Sequence, residues 1–363
     1  METSPARTVI ASFTSLAVKL GDTRTRPLVF VLGAGASKDF GDSMPVGADL
    51  AFRIEQQIHK EFAQGAADGP IKTAIMRSPG GLSSVHANAA TRIRNSLPTQ
   101  ASIDDLLNEW RQDSPEMLEV GKIAIATMIL EAERKSVLGP AATDDPDRNY
   151  EAIANLRDCW MALLLRSLQL GDQNPRRHLD QVLSNVGFIT FNYDRCLEQY
   201  LYLAFRNIAD MNPGNAAMAV ERLPIVHAYG KLGRLPYGAR QSLDLAFGSQ
   251  SPVHDSVWKR IKTYTEEDHD ADNLASMHAL FRNAQTLVFL GMGFHERNMA
   301  LLFKDGGLRD DCKIWGTAQG LSAQRKAKLP TYFDHPNRKA PQFENFGCRE
   351  FLAQYGATIL HGH

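Results

Sequence analysis

One stretch near the start of the chain, residues 28–37, most constrains what this chain can fold into. Five apolar residues, Leu28–Leu32, run directly into Gly33-Ala34-Gly35-Ala36-Ser37. Branched and aromatic residues in such a short run are typical of a strand buried on both faces. Glycine then permits a sharp turn and the close approach of a ligand. If a helix begins there, its free N–H groups would face an anion. The stretch predicts either a nucleotide-binding corner or a plain glycine turn between a strand and a helix.

The bulk composition fits a globular enzyme with a substantial core. The 363 residues are 44% hydrophobic and 22% charged, with a formal net charge of -1, which argues against a surface that coats nucleic acid. No apolar run approaches the roughly 20 residues that span a bilayer, and no secretory signal is recognisable. The four cysteines lie far apart without a Cys-x-x-Cys pair, so neither a metal site nor a disulfide framework is expected. A cytoplasmic location with reduced thiols follows as the expectation.

Further apolar runs along the chain predict more strands of the same sheet. They cover residues 186–191, 225–229, 286–290 and 312–316, and each ends in glycine or polar residues. This pattern predicts an α/β fold, a Rossmann-like doubly wound parallel sheet with a large helical insertion. The expected organisation is an N-terminal helical segment (1–26), the Rossmann-like domain (27–50 and 180–363, with a helix and loop insert at 236–283) and a helical insertion module (51–179).

The ends of these predicted strands carry the residues that are candidates for chemistry. Ligands of such sheets bind beyond the carboxyl ends of the strands. That edge collects a set of glycine and polar residues: Gly33, Gly35, Ser37, Asn192, Asp194, His227, Gly291 and Gly293. Several such strand ends converging at one edge predict a ligand site more strongly than any one of them does.

Three of these polar residues have both a chemical and a structural interpretation. The Asn192 amide can hold a carboxamide or orient a water, and Asp194 can accept from an amide, but both residues could also cap the following helix. His227 could act as a general base near neutral pH and take a proton from a ribose hydroxyl. Equally, it could be a histidine whose hydrogen bonds are satisfied in the core. Position alone leaves these alternatives open.

Taken in order, the motifs resemble a known family. They are Gly33-Ala34-Gly35-Ala36-Ser37, Met44-Pro45, Thr190-Phe191-Asn192-Tyr193-Asp194, a strand-end His with Tyr-Gly-x-Leu-Gly, and Phe289-Leu290-Gly291-Met292-Gly293-Phe294. This order resembles the SIR2-like (sirtuin-like) family, particularly the bacterial NAD-cleaving proteins of anti-phage defence. The resemblance covers residues 28–50 and roughly 186–320, and it leaves out the helical insertion and both chain ends.

The resemblance implies a role for each matching residue. The glycine loop would hold the phosphates of NAD through Gly33, Ala34, Gly35 and Ser37, with Pro45 of the following motif also at the cofactor. Asn192 would lie beside the nicotinamide ribose and place the attacking water, and Asp194 would hold the nicotinamide carboxamide. The later strand end, with Gly291 and Gly293, would approach the adenosine.

The chain departs from the family pattern in two places. Many members have the catalytic His directly before a Gly, whereas here Tyr229 precedes Gly230 and the His lies two residues earlier. A strand's two-residue period would put His227 and Tyr229 on one face. We favour His227, because Tyr is a poor base at neutral pH. The zinc-binding cysteine quartet of the protein-deacylating sirtuins is also missing from the sequence, which favours plain NAD hydrolysis.

The sequence thus predicts an NAD+ glycohydrolase that releases nicotinamide and ADP-ribose, with Asn192 and His227 as catalytic residues, NAD+ as substrate and no metal. It would be the NAD-depleting effector of a bacterial anti-phage defence system. An NAD-dependent protein deacylase and a non-catalytic sensor of NAD or ADP-ribose are the alternatives. The expected partners are further copies of the chain in a homo-oligomer and a partner ATPase or sensor protein of a defence operon. Neither a membrane nor direct nucleic-acid binding is expected.

Overall fold

A parallel sheet forms the centre of the molecule. The computed structural model describes residues 28–66, 68–110, 113–139, 145–170, 179–237, 245–262 and 271–361, so the predicted N-terminal helical segment (1–26) lies outside the described residues. The strands are β1 (Leu28–Leu32), β2 (Val186–Thr190), β3 (Ile225–His227), β4 (Thr286–Leu290), β5 (Lys313–Thr317) and β6 (Gln342–Glu344). Their order is β3-β2-β1-β4-β5-β6, and every neighbouring pair is parallel.

The central strand β1 explains why its sequence is continuously apolar. It pairs with β2 on one side and β4 on the other, with Leu28 opposite Val186 and Thr286. Phe30 packs in a core on one face of the sheet, here called the Phe30 face, and Val31 packs in a second core on the opposite, Val31 face. Helices cover both faces, so each side chain of the strand is buried. The predicted Rossmann-like α/β fold is confirmed, and its chain order reverses between β1 and β4, where such sheets form a ligand crevice.

Helices form a layer on each face. In chain order they are α1 (Ala34–Ser37), α2 (Gly47–Ile58), α3 (Pro70–Arg77), α4 (Ser84–Ser96), α5 (Ile103–Glu109), α6 (Pro115–Lys135), α7 (Pro146–Asn155), α8 (Trp160–Leu168), α9 (Leu179–Leu183), α10 (Cys196–Asn207), α11 (Pro213–Arg222), α12 (Asp255–Trp258), α13 (Ala271–Asn283), α14 (Glu296–Phe303), α15 (Ala323–Tyr332) and α16 (Cys348–His361). None of the helices in the described ranges has the length and apolar character needed to cross a bilayer.

The helices between β1 and β2 do not all pack on the same side of the sheet. Those from α2 to α5 and most of α6 contribute to the core on the Val31 face, whereas α7 and α8 contribute to the core on the Phe30 face. The long helix α6 connects the two, because its Leu130 belongs to one core and its Ala132 to the other. The stretch predicted as a helical insertion is helical in the described residues, and it shares both cores with the sheet.

Two elements differ from the sequence-based expectation. β6 was not predicted, since it has only three residues at the edge of the sheet and no apolar run. β3 ends at His227 instead of Tyr229, because a turn follows it in which the Gly230 amide donates to the His227 carbonyl at 3.1 Å.

Candidate functional site

The glycines of β1 and β4 pack on one another where the two strands end. The Gly33 amide donates to the Leu290 carbonyl at 3.0 Å, and the Gly35 amide donates to the Gly291 carbonyl at 3.1 Å. Gly291 has a φ of +60°, and a Cβ there would lie 2.1 Å from the Ala36 amide nitrogen. A Cβ on Gly33 would lie 2.5 Å from the Gly291 carbonyl oxygen. Close backbone packing is therefore a sufficient reason for all three glycines.

The helix after the glycine turn is short. α1 has four residues and is followed by a 3-10 turn over Lys38–Phe40. Within it, the Ala36 amide donates to the Gly33 carbonyl at 2.9 Å. The amides of Gly33, Gly35 and Ala36 thus have protein acceptors, so the predicted phosphate contacts of Gly33 and Gly35 would need these hydrogen bonds to open.

The polar residues predicted at the ends of β1 and β2 form one hydrogen-bonded cluster. The Asn192 amide Nδ2 donates to the Ser37 Oγ at 2.9 Å and to the Gly33 carbonyl at 3.1 Å. The Ser37 hydroxyl donates in turn to Asp194 Oδ2 at 2.8 Å. The other oxygen of Asp194 accepts from the Cys196 amide at 3.1 Å, at the start of α10. Asp194 therefore caps this helix and contacts Ser37 at the same time, whereas Asn192 faces the glycine turn.

His227 joins this cluster from β3. In the sheet register Thr190 lies opposite both Leu32 and His227, so these three side chains share the Phe30 face. The His227 Nδ1 lies 2.9 Å from the Asn192 carbonyl oxygen. Its Nε2 lies 2.9 Å from Oε1 of Glu198, in the first turn of α10. The imidazole thus contacts the backbone carbonyl of Asn192, while the Asn192 amide faces Ser37 and Gly33.

Tyr229, the alternative to His227, lies elsewhere. The turn after β3 sends its ring into the core on the Val31 face, against Phe191 at 5.5 Å between ring centroids. The Tyr229 hydroxyl donates to Asn298 Oδ1 at 2.6 Å. The expectation that His227 and Tyr229 share a face is wrong, because the strand does not continue past His227.

The two acids of the cluster, Glu198 and Asp194, have pKa shifts in opposite directions. Burial works to raise the pKa of Glu198, but the Lys231 ammonium, 2.5 Å from Oε1, and His227 outweigh it and hold the pKa well below its ordinary value. For Asp194 burial dominates over the hydrogen bonds from Ser37 and Cys196, so its pKa is raised. The difference follows from the cations, which lie beside Glu198 and not beside Asp194.

A small cavity of about 10 Å³ is lined by Ser37, Asn192, Asp194 and His227 together with Thr190 and apolar residues. The lining residues are Leu32, Ala36, Ser37, Phe40, Trp160, Thr190, Asn192, Asp194, Leu197 and His227. His227 also lines a larger cavity of about 760 Å³, whose cationic lining residues are Lys231, Arg234, Lys259, Arg260 and Lys262. His227 therefore lies between the small polar cavity and the larger basic one, and Trp160 and Phe40 line the small cavity on its apolar side.

A buried ion pair that the sequence analysis did not identify holds the segment between β2 and α10. Arg195 and Glu133 of α6 both have fully buried side chains, and Arg195 Nη2 donates to Glu133 Oε2 at 2.6 Å. The Arg195 guanidinium also donates to the Leu245 carbonyl at 2.6 Å, and the backbone amide of Arg195 donates to Glu133 Oε1 at 2.9 Å. The pair fixes the residue next to Asp194 to the long helix of the insertion.

Three further residues predicted at the site, Ala34, Pro45 and Gly293, lie outside the hydrogen-bonded cluster. Pro45 is buried in the loop before α2. Ala34 is the first residue of α1. A Cβ on Gly293 would lie 2.8 Å from the His295 ring, and His295 lines a separate cavity of about 390 Å³. Across the described ranges no group of three or more His, Cys, Asp or Glu residues is placed to hold a metal ion.

A six-stranded parallel sheet in this order, with polar side chains and a glycine turn at its carboxyl edge, defines a Rossmann-like protein with a candidate nucleotide site. The comparison with protein families makes this more specific. Residues 186–310 match the family model described as the SIR2-like domain. This match covers about a third of the chain, and it supports the resemblance to the SIR2-like family that the sequence motifs indicate. No curated protein matches the chain.

Proposed function

We propose that this protein is an NAD+ glycohydrolase that converts NAD+ and water to nicotinamide and ADP-ribose. One observation carries the proposal: Ser37, Asn192, Asp194 and His227 line a single cavity at the carboxyl ends of three neighbouring strands. Three of these four residues lie within the match to the SIR2-like domain. This combination of amide, carboxyl, hydroxyl and imidazole suits a glycosidic carbon and a carboxamide better than it suits a purely structural strand end.

The reaction requires mainly that the site position the substrate and the water and stabilise the positive charge that develops at the ribose. The bond between the ribose C1′ and the nicotinamide nitrogen breaks, and its electron pair neutralises the positive charge of the leaving ring. Water then adds to the oxocarbenium-like carbon and releases a proton to solvent. The Asn192 amide is the group that would place this water, and the Asp194 carboxyl, which here accepts from the Ser37 hydroxyl, would hold the carboxamide. Preorganised dipoles of this kind stabilise a developing charge without reorganisation.

The polar cluster has to rearrange before a substrate can enter it. With about 10 Å³ the inner cavity is smaller than a nicotinamide ring, and the Asn192 amide is hydrogen-bonded to Ser37 and Gly33. Binding therefore has to replace these contacts with contacts to the substrate and widen the cavity. An enzyme that depletes a central cofactor needs control, and assembly of this chain with itself or with a defence partner would supply it in a bacterial anti-phage system.

The test is chromatography of NAD+ incubated with the pure full-length protein. We expect nicotinamide and ADP-ribose from the wild type, and a loss on the order of a hundredfold or more in kcat for Asn192→Ala, the size expected for removal of one preorganised donor. Asn95→Ala, at an exposed asparagine of α4, is the matched control and should keep full activity.

The alternatives give different results in the same experiment. Nicotinamide release that requires an acyl-lysine peptide would identify a deacylase. NAD binding without turnover, unchanged by Asn192→Ala, would identify a sensor. Absence of product from the wild type, both alone and with lysate that contains its partners, would contradict the proposed hydrolase.

A further inference from the structure

The surroundings of His227 determine how many protons its ring carries. Nδ1 lies 2.9 Å from the backbone carbonyl oxygen of Asn192. A backbone carbonyl can only accept a hydrogen bond, so a hydrogen bond at this distance requires a hydrogen on Nδ1. The His227 side chain is 4% exposed, which leaves little room for water to take over this contact.

The second nitrogen meets the same condition at Glu198. Nε2 lies 2.9 Å from Oε1 of a carboxyl whose side chain is 7% exposed. The ammonium of Lys231 contacts the same oxygen and favours the ionised carboxylate, which only accepts. Nε2 therefore also carries a hydrogen. With both nitrogens donating, the ring is a cation.

We infer that Glu198 and Lys231 are positioning residues that hold His227 as a doubly protonated imidazolium, whose role is to fix the Asn192 backbone and not to accept a proton. The inference rests on the proposed hydrolase for its role in turnover, while the charge state of the ring stands on the geometry alone. Lys231 sets the charge of Glu198, Glu198 sets that of His227, and the Nδ1 hydrogen bond holds the residue whose amide faces Ser37.

The other charged groups around the His227 ring come from three further parts of the fold, and none of them is in a direct contact that the structure gives for either ring nitrogen. From α10 the ring faces Glu198, and from the segment after β2 it shares the small cavity with Asp194. From the loop after β3 comes Lys231, and four further cations, Arg234, Lys259, Arg260 and Lys262, line the larger cavity that His227 also lines. The contact with Glu198 is direct, at 2.9 Å, and a direct contact between buried groups outweighs charges that solvent screens in an open cavity.

The consequence for activity is a pH dependence opposite to that of a general base. A neutral histidine that accepts a proton loses activity as the pH falls and the ring is protonated. A histidine that works as a cation keeps its activity as the pH falls and loses it as the pH rises and the ring is deprotonated. Glu198→Gln removes the negative charge beside Nε2 at nearly constant shape, so we expect the activity of this variant to fall at a lower pH than the activity of the wild type.

The experiment has one readout that does not depend on turnover. In nitrogen-15 spectra of the full-length protein near neutral pH, both ring nitrogens of His227 should appear as protonated, with the resonances identified by their absence in His227→Asn. In Glu198→Gln and Lys231→Met one nitrogen should lose its proton, whereas Lys231→Arg should restore both. Lys259→Met removes a lysine of the same cavity that pairs with Asp255, so it is the matched control and should leave the ring unchanged.

Turnover provides the second readout. We expect kcat for NAD+ cleavage to fall on the order of tenfold to a hundredfold in Glu198→Gln and Lys231→Met, the size seen for partners that orient a functional histidine, with KM nearly unchanged. A single protonated nitrogen in the wild type, or a pH profile in which activity falls as the pH is lowered, would overturn the inference. If the wild type cleaves no NAD+ while both nitrogens are protonated, the proposed hydrolase fails and the assigned charge state stands.

Discussion

The carboxyl edge of the sheet has two halves that are built in different ways. The glycine half, formed by Gly33, Gly35 and Gly291, is backbone packed on backbone, with amides donating to carbonyls of the facing turn. The polar half, formed by Ser37, Asn192, Asp194, His227, Glu198 and Lys231, is a network of side chains that includes buried charges. The fold needs the backbone contacts of the glycine half to pack the two turns together, but it does not need the side-chain network of the polar half.

This difference changes which residues point to function. Buried ionic groups carry a desolvation penalty that apolar residues of similar volume would avoid. Their presence in the polar half is therefore stronger support for chemistry than the glycine motif is. Backbone packing is a sufficient reason for the glycines of the glycine half. The glycine motif, although it is the most prominent motif of the sequence, is therefore weaker support for the reaction.

Substitution of Gly291 is the strongest way to test the structural role of the glycine half. Gly291→Ala places a Cβ 2.1 Å from the Ala36 amide nitrogen at a positive φ, so one of the two turns has to move. We expect a loss of more than about 4 kcal/mol in the free energy of unfolding, or failure to fold, with or without NAD. Denaturant unfolding measures this. Gly80→Ala, where nothing lies within 4 Å of the new Cβ, should change little. A well-folded Gly291→Ala protein that had lost only NAD binding would contradict the packing explanation.

The buried ion pair next to the polar half should give the next largest effect. Glu133→Gln keeps the shape of the side chain but leaves the fully buried Arg195 guanidinium without its carboxylate. Breaking such a pair by removing one partner typically costs about 3–5 kcal/mol, and urea unfolding should show a loss of this size. The control is Glu131→Gln, two residues earlier on the same helix, because Glu131 pairs with Lys135 at the surface and should contribute at most about 1 kcal/mol. Equal effects of the two substitutions would mean that the buried pair has no special role.

The fold was predictable because its strongest signals are local. The strands β1, β2 and β4 are five-residue apolar runs that end in glycine or polar residues, and such runs indicate buried parallel strands without knowledge of the rest of the chain. β6 carries no such signal, since its three residues Gln342–Glu344 gain their strand structure from pairing with β5. The end of β3 was misplaced by two residues, because the turn at Gly230 is set by contacts that the apolar pattern does not reveal.

The site was predictable only for the residues that follow strands. Asn192 and Asp194 come directly after β2, and His227 is the last residue of β3, so the sheet topology itself brings them together. Glu198, Lys231, Arg195 and Glu133 were missed, because helices and loops carry them and their partners lie far away in the sequence. One signal was available: Glu198 stands in a helix, α10, whose other residues are mostly apolar, and a charge in such a helix is buried and paired.

The half-buried carboxyl of Asp104, near the polar half, sharpens the comparison, because the cation near it, Arg297, pairs with the neighbouring Asp105. Asp104 of α5 accepts a hydrogen bond from the Tyr193 hydroxyl at 2.5 Å, on the chain segment between Asn192 and Asp194. Burial, only partly opposed by this hydrogen bond, raises the pKa of Asp104 from 3.8 to about 6. The folded state therefore binds more protons than the unfolded state between these pH values, and this carboxyl's contribution to stability is lost as the pH rises from about 4 to 6.

Asp104→Asn should remove this pH dependence while an amide oxygen remains to accept from Tyr193. From the size of the pKa shift we expect the variant to gain on the order of 2 kcal/mol over the wild type when the pH is raised from about 4 to 7. Urea unfolding of both proteins at the two pH values measures the difference, and Asp42→Asn, at an exposed aspartate, should leave the pH dependence as it is. If the stabilities of wild type and Asp104→Asn run parallel over this range, Asp104 is already ionised at little cost. The cations at Glu198 would then not be what keeps a carboxyl in this region charged, and the distinction between the two acids would fail.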